Sequence, residues 1–251
     1  MFIRQILGLA SLLMTSIVYA DKLVIIGDAY ALNTGQLLYQ EFHYYSEDGL
    51  DHHVVYISPE KTKIAEKFLN YRSGKASPEV NHQAWVYAEK FQITKAGKQW
   101  FLAYTDNENR QSKTTLVATR PLVIDAGFDH YIRQHWSSLL TGSSVKFDFP
   151  APSRLSLVGL LIKRKRCTDD QLQAVCFAIN SSNWFIRLLL DPIELSYDKN
   201  TRQLIRFKGL GNMLDKYGNS LKVNIRYRYQ DLCIDQTVCD QEVIAEDIAT
   251  P

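Results

Sequence analysis

Apolar and polar residues alternate with a period of two along much of the chain, and the alternation recurs at strand-and-turn spacing. It is clearest at Leu221–Tyr229, where Leu221, Val223, Ile225, Tyr227 and Tyr229 interleave with Lys222, Asn224, Arg226 and Arg228. One face of that strand is apolar, the other basic and wet. Upstream, Ile193–Tyr197 and Gln203–Lys208 flank Asp198-Lys199-Asn200-Thr201, a hairpin with turn chemistry in its middle, and Gly209, Gly211 and Gly218 punctuate the link to the next strand. The N-terminal half reads the same way. Strands are predicted at Asp28–Leu32, Gln36–Tyr45, Asp51–Ile57, Trp85–Thr94, Gln99–Tyr104 and Lys113–Ala118, with an exposed loop at Tyr71–His82 and a long strand at Arg154–Lys165.

One segment breaks the rhythm. Phe128, Ile132, Trp136, Leu139 and Leu140 fall on a helical stripe that ends before Gly142, with Asp125 placed to cap its start. The pattern therefore predicts a mainly β fold: an open, strongly curved antiparallel sheet or incomplete β-barrel of about ten strands, with one amphipathic helix over 127–141. Fourteen Tyr and four Trp fit the strand-rich reading.

The first twenty residues stand apart. A single positive charge, Arg4, precedes an apolar run from Ile6 to Met14, and Val18-Tyr19-Ala20 leads into Asp21. That order is a secretory signal peptide, cleaved after Ala20, with residues 21–251 forming a single β-rich domain. The apolar stretch is shorter than the roughly 20 residues that span a bilayer, and no cysteine follows it to carry a lipid. Arg4 is the only charged residue it removes, so the net charge drops from +2 to +1. A near-neutral chain has no global attraction to nucleic acid or membranes.

The four cysteines, Cys167, Cys176, Cys233 and Cys239, suit an oxidising compartment. Three pairings are possible. Local bridges would contribute about 2–3 kcal/mol and long-range ones about 4–5, so energy does not select among them. Cys167–Cys176 and Cys233–Cys239 are favoured because each pair brackets a polar, turn-like stretch. Neither pair has zinc-ligand spacing and no histidine lies near them. No metal and no cofactor is expected.

Candidate chemistry is sparse. Glu41 and His43 share one face of their strand and could act as orienter and base; the plainer reading is an ion pair on a wet sheet face. His52 and His53 are adjacent and point to opposite faces, which suits surface histidines. His130 and His135 do not share a helix face, while Asp129 and Arg133 are spaced for an i, i+4 pair. Lys163-Arg164-Lys165-Arg166 could meet anionic headgroups or cap a solvated hairpin end. Trp136, Trp184 and Arg187 are candidates to line a ligand cavity, with core packing as the competing account. No nucleophile elbow or phosphate loop is present.

Thr34–Tyr39 with Glu41 and His43, Pro121–Trp136, Phe149–Arg154 and Asp191–Gly211 together resemble an uncharacterised family of exported proteins of Gram-negative bacteria. The resemblance implies a periplasmic location and one conserved architecture, and carries no catalytic residue. The helix with long curved strands is also similar, in architecture alone, to half-barrel carriers of lipids and lipoproteins. The resulting expectation is a non-enzymatic periplasmic protein that binds a hydrophobic or lipid-like ligand or another envelope component, and no nucleic acid. The alternatives are a hydrolase of envelope material using Glu41 and His43, or a ligand-free assembly partner.

Overall fold

The computed structural model describes residues 22–168, 173–183 and 191–230. Within them one antiparallel sheet of fourteen strands bends into a nearly closed barrel. The first eight strands are an up-and-down meander: β1 Lys22–Ala31, β2 Leu37–Tyr45, β3 Asp51–Ile57, β4 Lys63–Asn70, β5 Glu79–Ala84, β6 Glu89–Ala96, β7 Gln99–Thr105 and β8 Gln111–Leu116. Two short helices follow, α1 Gly127–Gln134 and α2 Trp136–Leu140. A second meander completes the sheet with β9 Ser144–Ala151, β10 Ser156–Lys165, β11 Ala174–Ser181, β12 Ile193–Asp198, β13 Leu204–Leu214 and β14 Ser220–Tyr229.

The two meanders are joined through the chain's first and last described strands. β1 pairs with β14, from Ile25 opposite Tyr229 to Ala31 opposite Val223, so the free edges of the sheet are β8 and β9. Among the described residues the two edge strands share no ladder; the connection that follows β8 meets β9 through one parallel bridge, Leu122 with Asp148. The buried Asp148 carboxylate fastens that seam. It accepts from the backbone N–H of Thr119 (2.8 Å) and Arg120 (3.0 Å) and from the Arg120 guanidinium (3.0 Å). Burial alone would raise its pKa, but these bonds together lower it.

Turn chemistry sets the hairpins. Asp106, Asp198 and Asp215 each open a turn by accepting a backbone N–H two residues on, at 2.8–2.9 Å. Each such bond replaces a ladder partner where the strand must reverse.

The helices lie inside. Ile132, Trp136 and Leu139 pack with Phe147, Ile162, Phe177, Leu195 and Tyr197 on the inner face of β9–β13, each large apolar side chain contributing about 1.5–3 kcal/mol by leaving water. A second apolar cluster, including Tyr39, Val54, Tyr56, Leu69, Ile93 and Leu102, fills the half enclosed by β1–β8.

Several expectations need correction. There are fourteen strands among the described residues, not about ten. β4 escapes a pattern search because it turns Lys67 inward and leaves Phe68 44% exposed, the reverse of the usual order. The segment 71–82 is not simply a loop: a 3-10 turn at Tyr71–Ser73 leads to β5, whose Val80 and His82 are buried. β13 runs on through Gly209 and Gly211 to Leu214. Gly209 adopts φ +152 and lies so close to Ile193 that a Cβ would sit 3.0 Å from its Cα.

The single helix over 127–141 is two helices. His135 interrupts it, because its ring Nδ1 bonds the Tyr131 carbonyl at 2.9 Å and competes with the backbone ladder. Asp125 does not cap α1, whose N-cap is Ala126 without a side-chain bond. It sits at φ +46 and directs its carboxylate to Lys67 instead.

Candidate functional site

Strand register brings the ionisable side chains together inside the barrel. One inner row runs His43, Val54, Lys67, His82 and Phe91 across β2 to β6. The next row places Gly27 beside Glu41, with Tyr227 on the other side of Gly27. Gly27 is required there: a Cβ would come within 2.8 Å of the Tyr227 ring. The ring leans across this gap, and its hydroxyl donates to Glu41 Oε2 at 3.1 Å.

Glu41 is 4% exposed and His52 3%. His43 Nε2 lies 3.1 Å from Glu41 Oε2, His43 Nδ1 lies 2.9 Å from His52 Nε2, and His52 Nδ1 lies a looser 3.4 Å from the Tyr71 hydroxyl. A consistent set of neutral tautomers follows. Tyr71 donates to His52, His52 to His43, and His43 and Tyr227 both donate to the carboxylate. Burial, followed by the nearby His43, Lys67, His53 and His130, holds the His52 pKa well below the usual imidazole value. Burial also raises Tyr39, Tyr56 and Tyr227, with Glu41 adding to it.

Beside this chain, Lys67 is 1% exposed and donates to Asp125 Oδ2 at 2.8 Å and Oδ1 at 3.1 Å. The bond ties Asp125, two residues before α1, to the barrel wall. Two further bonds hold the same stretch, Ile124 N–H to the Ala76 carbonyl at 3.0 Å and Ser77 hydroxyl to the Leu122 carbonyl at 2.5 Å. His82 packs between Phe91 and Tyr56, and among the described residues no hydrogen-bond partner meets either of its ring nitrogens. Its pKa is pushed down to about 3, first by burial and then by Lys67, with Asp125 opposing.

Glu41 and His43 thus form a pair, as their spacing suggests, but on the buried inner face rather than a wet one. His52 and His53 do point to opposite faces. His52 is buried in the chain just described instead of lying on the surface, and His53 stacks outside on Phe68 at 4.1 Å between ring centres. Trp136, 4% exposed, is held edge-on by Phe177 and Tyr197 with Arg202 5.4 Å from its ring centre, so it is packed in the helix–sheet core. Asp129 and Arg133 form their ion pair. In the basic run, Lys165 pairs with Glu194 at 2.5 Å and Arg164 donates to the Leu140 carbonyl at the end of α2 at 2.9 Å.

Cys167 and Cys176 are bridged, with Cα atoms 5.2 Å apart, joining the end of β10 to β11. Trp184, Arg187, Cys233, Cys239 and the cleavage position after Ala20 lie outside the described residues. Among the described residues no cluster of three or more His, Cys, Asp or Glu side chains could hold a metal ion, and no helix is long and apolar enough to cross a membrane.

Nothing in the spacing of His52, Lys67, His82 and Asp125 marks them as neighbours. Only cross-strand register joins them.

No protein-family model matches the chain, and no curated protein matches it. Among solved structures it is similar to a beta-barrel-like protein of domain of unknown function DUF1849 from Brucella abortus. The identity is 7% over 84% of this chain and 98% of that one, with a TM-score of 0.38.

Proposed function

We propose that the chain is an exported, non-enzymatic binding protein of the bacterial envelope that shelters a hydrophobic or lipid-like ligand inside its barrel. The observation that carries this reading is the construction of the interior. Two apolar clusters adjoin within the curved sheet, with Phe207 and Tyr227 packed against both, and the helical insert contributes Ile132, Trp136 and Leu139 to one of them. The wall beside that insert is closed by a single bridge and the Asp148 bonds rather than by a full strand ladder. Parting this seam would expose apolar lining without breaking any of the antiparallel strand pairs.

Two further observations support it. The Cys167–Cys176 bridge suits an oxidising compartment such as the periplasm, in keeping with a signal peptide cleaved after Ala20. The hydrolase alternative needs a histidine nitrogen that faces a substrate, and both nitrogens of His43 are engaged, one by Glu41 and one by His52.

Native mass spectrometry of protein extracted gently from its own periplasm tests the proposal. Adducts with lipid-range masses, released by organic solvent, are the expected result. A clean unliganded mass in every preparation would overturn it.

A further inference from the structure

Charge is segregated on the outside of the barrel, although the whole chain carries a net charge of only +2. The hairpin β13–β14 shows it best. With Val223 and Ile225 turned into the core, β14 presents Lys222, Arg226 and Arg228 outward, and register places Arg206 of β13 beside Arg226 and Lys208 beside Asn224. No acid stands on the outer face of either strand. The acids that meet these cations belong to neighbours. Asp28 of β1 pairs with Arg228 at 3.0 Å, and Asp191, whose side chain is 81% exposed, pairs with Lys222 at 2.9 Å. Glu194 lies opposite Lys208 but already pairs with Lys165. Exposed pairs of this kind contribute about 0–1 kcal/mol and leave the hairpin with an outward positive field.

The end of the same hairpin is apolar. Tyr217, in the turn between β13 and β14, is 73% exposed, and Leu210 faces out opposite Lys222. The Leu32 N–H donates to the Lys222 carbonyl at 3.1 Å, which brings a third exposed apolar side chain to this end. The turn also touches the one between β5 and β6: a Cβ on Gly218 would come within 2.5 Å of the Tyr87 hydroxyl oxygen. That second turn adds Trp85 and Val86, both exposed. Single exposed apolar residues are ordinary, but here the turns of three hairpins gather them at one end of the barrel. An ammonium group accompanies each ring, Lys216 Nζ 5.0 Å from the Tyr217 ring centre and Lys63 Nζ 5.3 Å from that of Trp85.

An apolar tip with cations behind it repeats the layering of a bilayer surface, acyl chains beneath charged headgroups. The outward row of Lys208 and Asn224 lies one step behind that of Leu210 and Lys222, about 7 Å along the strands, close to the thickness of one headgroup layer. With Tyr217, Leu210 and Val86 at the acyl boundary, Lys222 and Lys208 reach the phosphates, and Arg226 stays within about a Debye length of them. A soluble polyanion would pair the cations and leave the apolar tip in water. An uncharged apolar partner would cover the tip and desolvate the cations without pairing them. Tyr and Trp rings beside lysines are the side chains that settle at a membrane–water interface. We propose that this end of the barrel docks on an anionic phospholipid bilayer, setting the β13–β14 tip between the headgroups and binding their phosphates with the cations behind it. The contact goes beyond the interior binding described above and does not rest on it.

Sedimentation of the full mature chain with vesicles tests this, using phosphatidylcholine alone and phosphatidylcholine mixed with phosphatidylglycerol, at low and high salt. The chain should bind the mixed vesicles at least tenfold more tightly than phosphatidylcholine, and high salt should release it. Tyr217→Ser with Val86→Ser, and separately Lys208→Gln with Lys222→Gln, should each weaken that binding at least tenfold. None of these side chains belongs to either apolar cluster, and an unchanged circular dichroism melt shows that the fold is intact. Failure to bind the mixed vesicles would overturn the proposal. So would vesicle binding indifferent to either pair of substitutions. Polyglutamate bound as tightly as the mixed vesicles would overturn it too, by marking the cations as a site for an acidic polypeptide. Lipid held in the interior would stay with the protein through the salt wash, and the mass measurement reads it separately.

Discussion

Replacing Asp125 by Asn takes the counter-charge from an ammonium that the barrel wall buries almost completely. The Lys67 side chain is 2% exposed, whereas that of Asp125 is 17% exposed and also accepts the Ala126 N–H at 2.8 Å. The two halves of the pair are therefore unequal. Removing the carboxylate charge strands Lys67 in an apolar interior, which costs about 3–5 kcal/mol. Removing the lysine, as Lys67→Met, leaves a carboxylate with partial access to water and a backbone donor, and should cost less. Asn tolerates the φ of +46 at this position, so backbone strain does not cloud the result. The double variant Lys67→Met with Asp125→Asn buries no unpaired charge and should lie within about 1.5 kcal/mol of the parent. Equilibrium urea unfolding, followed by tryptophan fluorescence without reductant, measures all four proteins, and the slope with urea should stay constant across them. At roughly 2–4 °C per kcal/mol for a chain of this size, Asp125→Asn should melt about 10 °C lower. If Asp125→Asn costs under about 1 kcal/mol, or if the double variant is as unstable as the sum of the single ones, the ion pair is not the buried tie described here.

Acid should weaken the fold early. His82 binds its proton less readily when folded, so its contribution is complete above the unfolded value of about 6.5 and is lost as pH falls toward its folded value of about 3. His52 acts in the same direction. In that window each costs up to about 1.4 kcal/mol per pH unit, and urea titrations at pH 7, 6 and 5 should show a slope that His82→Leu reduces. An unchanged stability between pH 7 and 5 would refute this. Gly127→Ala should destabilise by about 1–3 kcal/mol in a thermal melt, because the added Cβ would lie 2.1 Å from the Ala76 carbonyl oxygen, a backbone atom with little room to yield. A neutral result would mean that the 76–78 segment is not fixed against α1. Opening the Cys167–Cys176 bridge as paired serines should cost about 2.5 kcal/mol by the chain-entropy relation for its short loop. Non-reducing peptide mapping should recover that pair, and a link from Cys167 to Cys233 or Cys239 would contradict the structure.

The strands that alternation reveals are those whose inner face is apolar. Leu221–Tyr229 was readable for that reason, because it places Val, Ile and Tyr at alternate positions against an apolar interior. β4 and β5 were not, because their inner faces include Lys67 and His82. Buried polar groups blur the pattern without always erasing it, since β2 and β3 stayed legible although Glu41, His43 and His52 face inward. Glu41 and His43 were legible as a pair because they lie two apart on one strand, so local geometry alone sets their separation. His52 is nine residues beyond His43 and meets it only across the β2–β3 ladder, at a position set by register.

The sequence by itself determined the class of fold, the inward and outward faces of the apolar strands and the helical segment after Pro121, and among three cysteine pairings it favoured the local Cys167–Cys176 bridge found in the structure. These are consequences of nearest-neighbour periodicity and short loops, which act within a few residues. Tertiary structure alone decided that β1 closes on β14, that the connection after β8 meets β9 at Asp148, and that Lys67, Asp125 and the histidine chain share one interior. Those outcomes depend on hydrogen-bond register between strands far apart in sequence. A one-residue change of register would turn every one of these side chains to the opposite face.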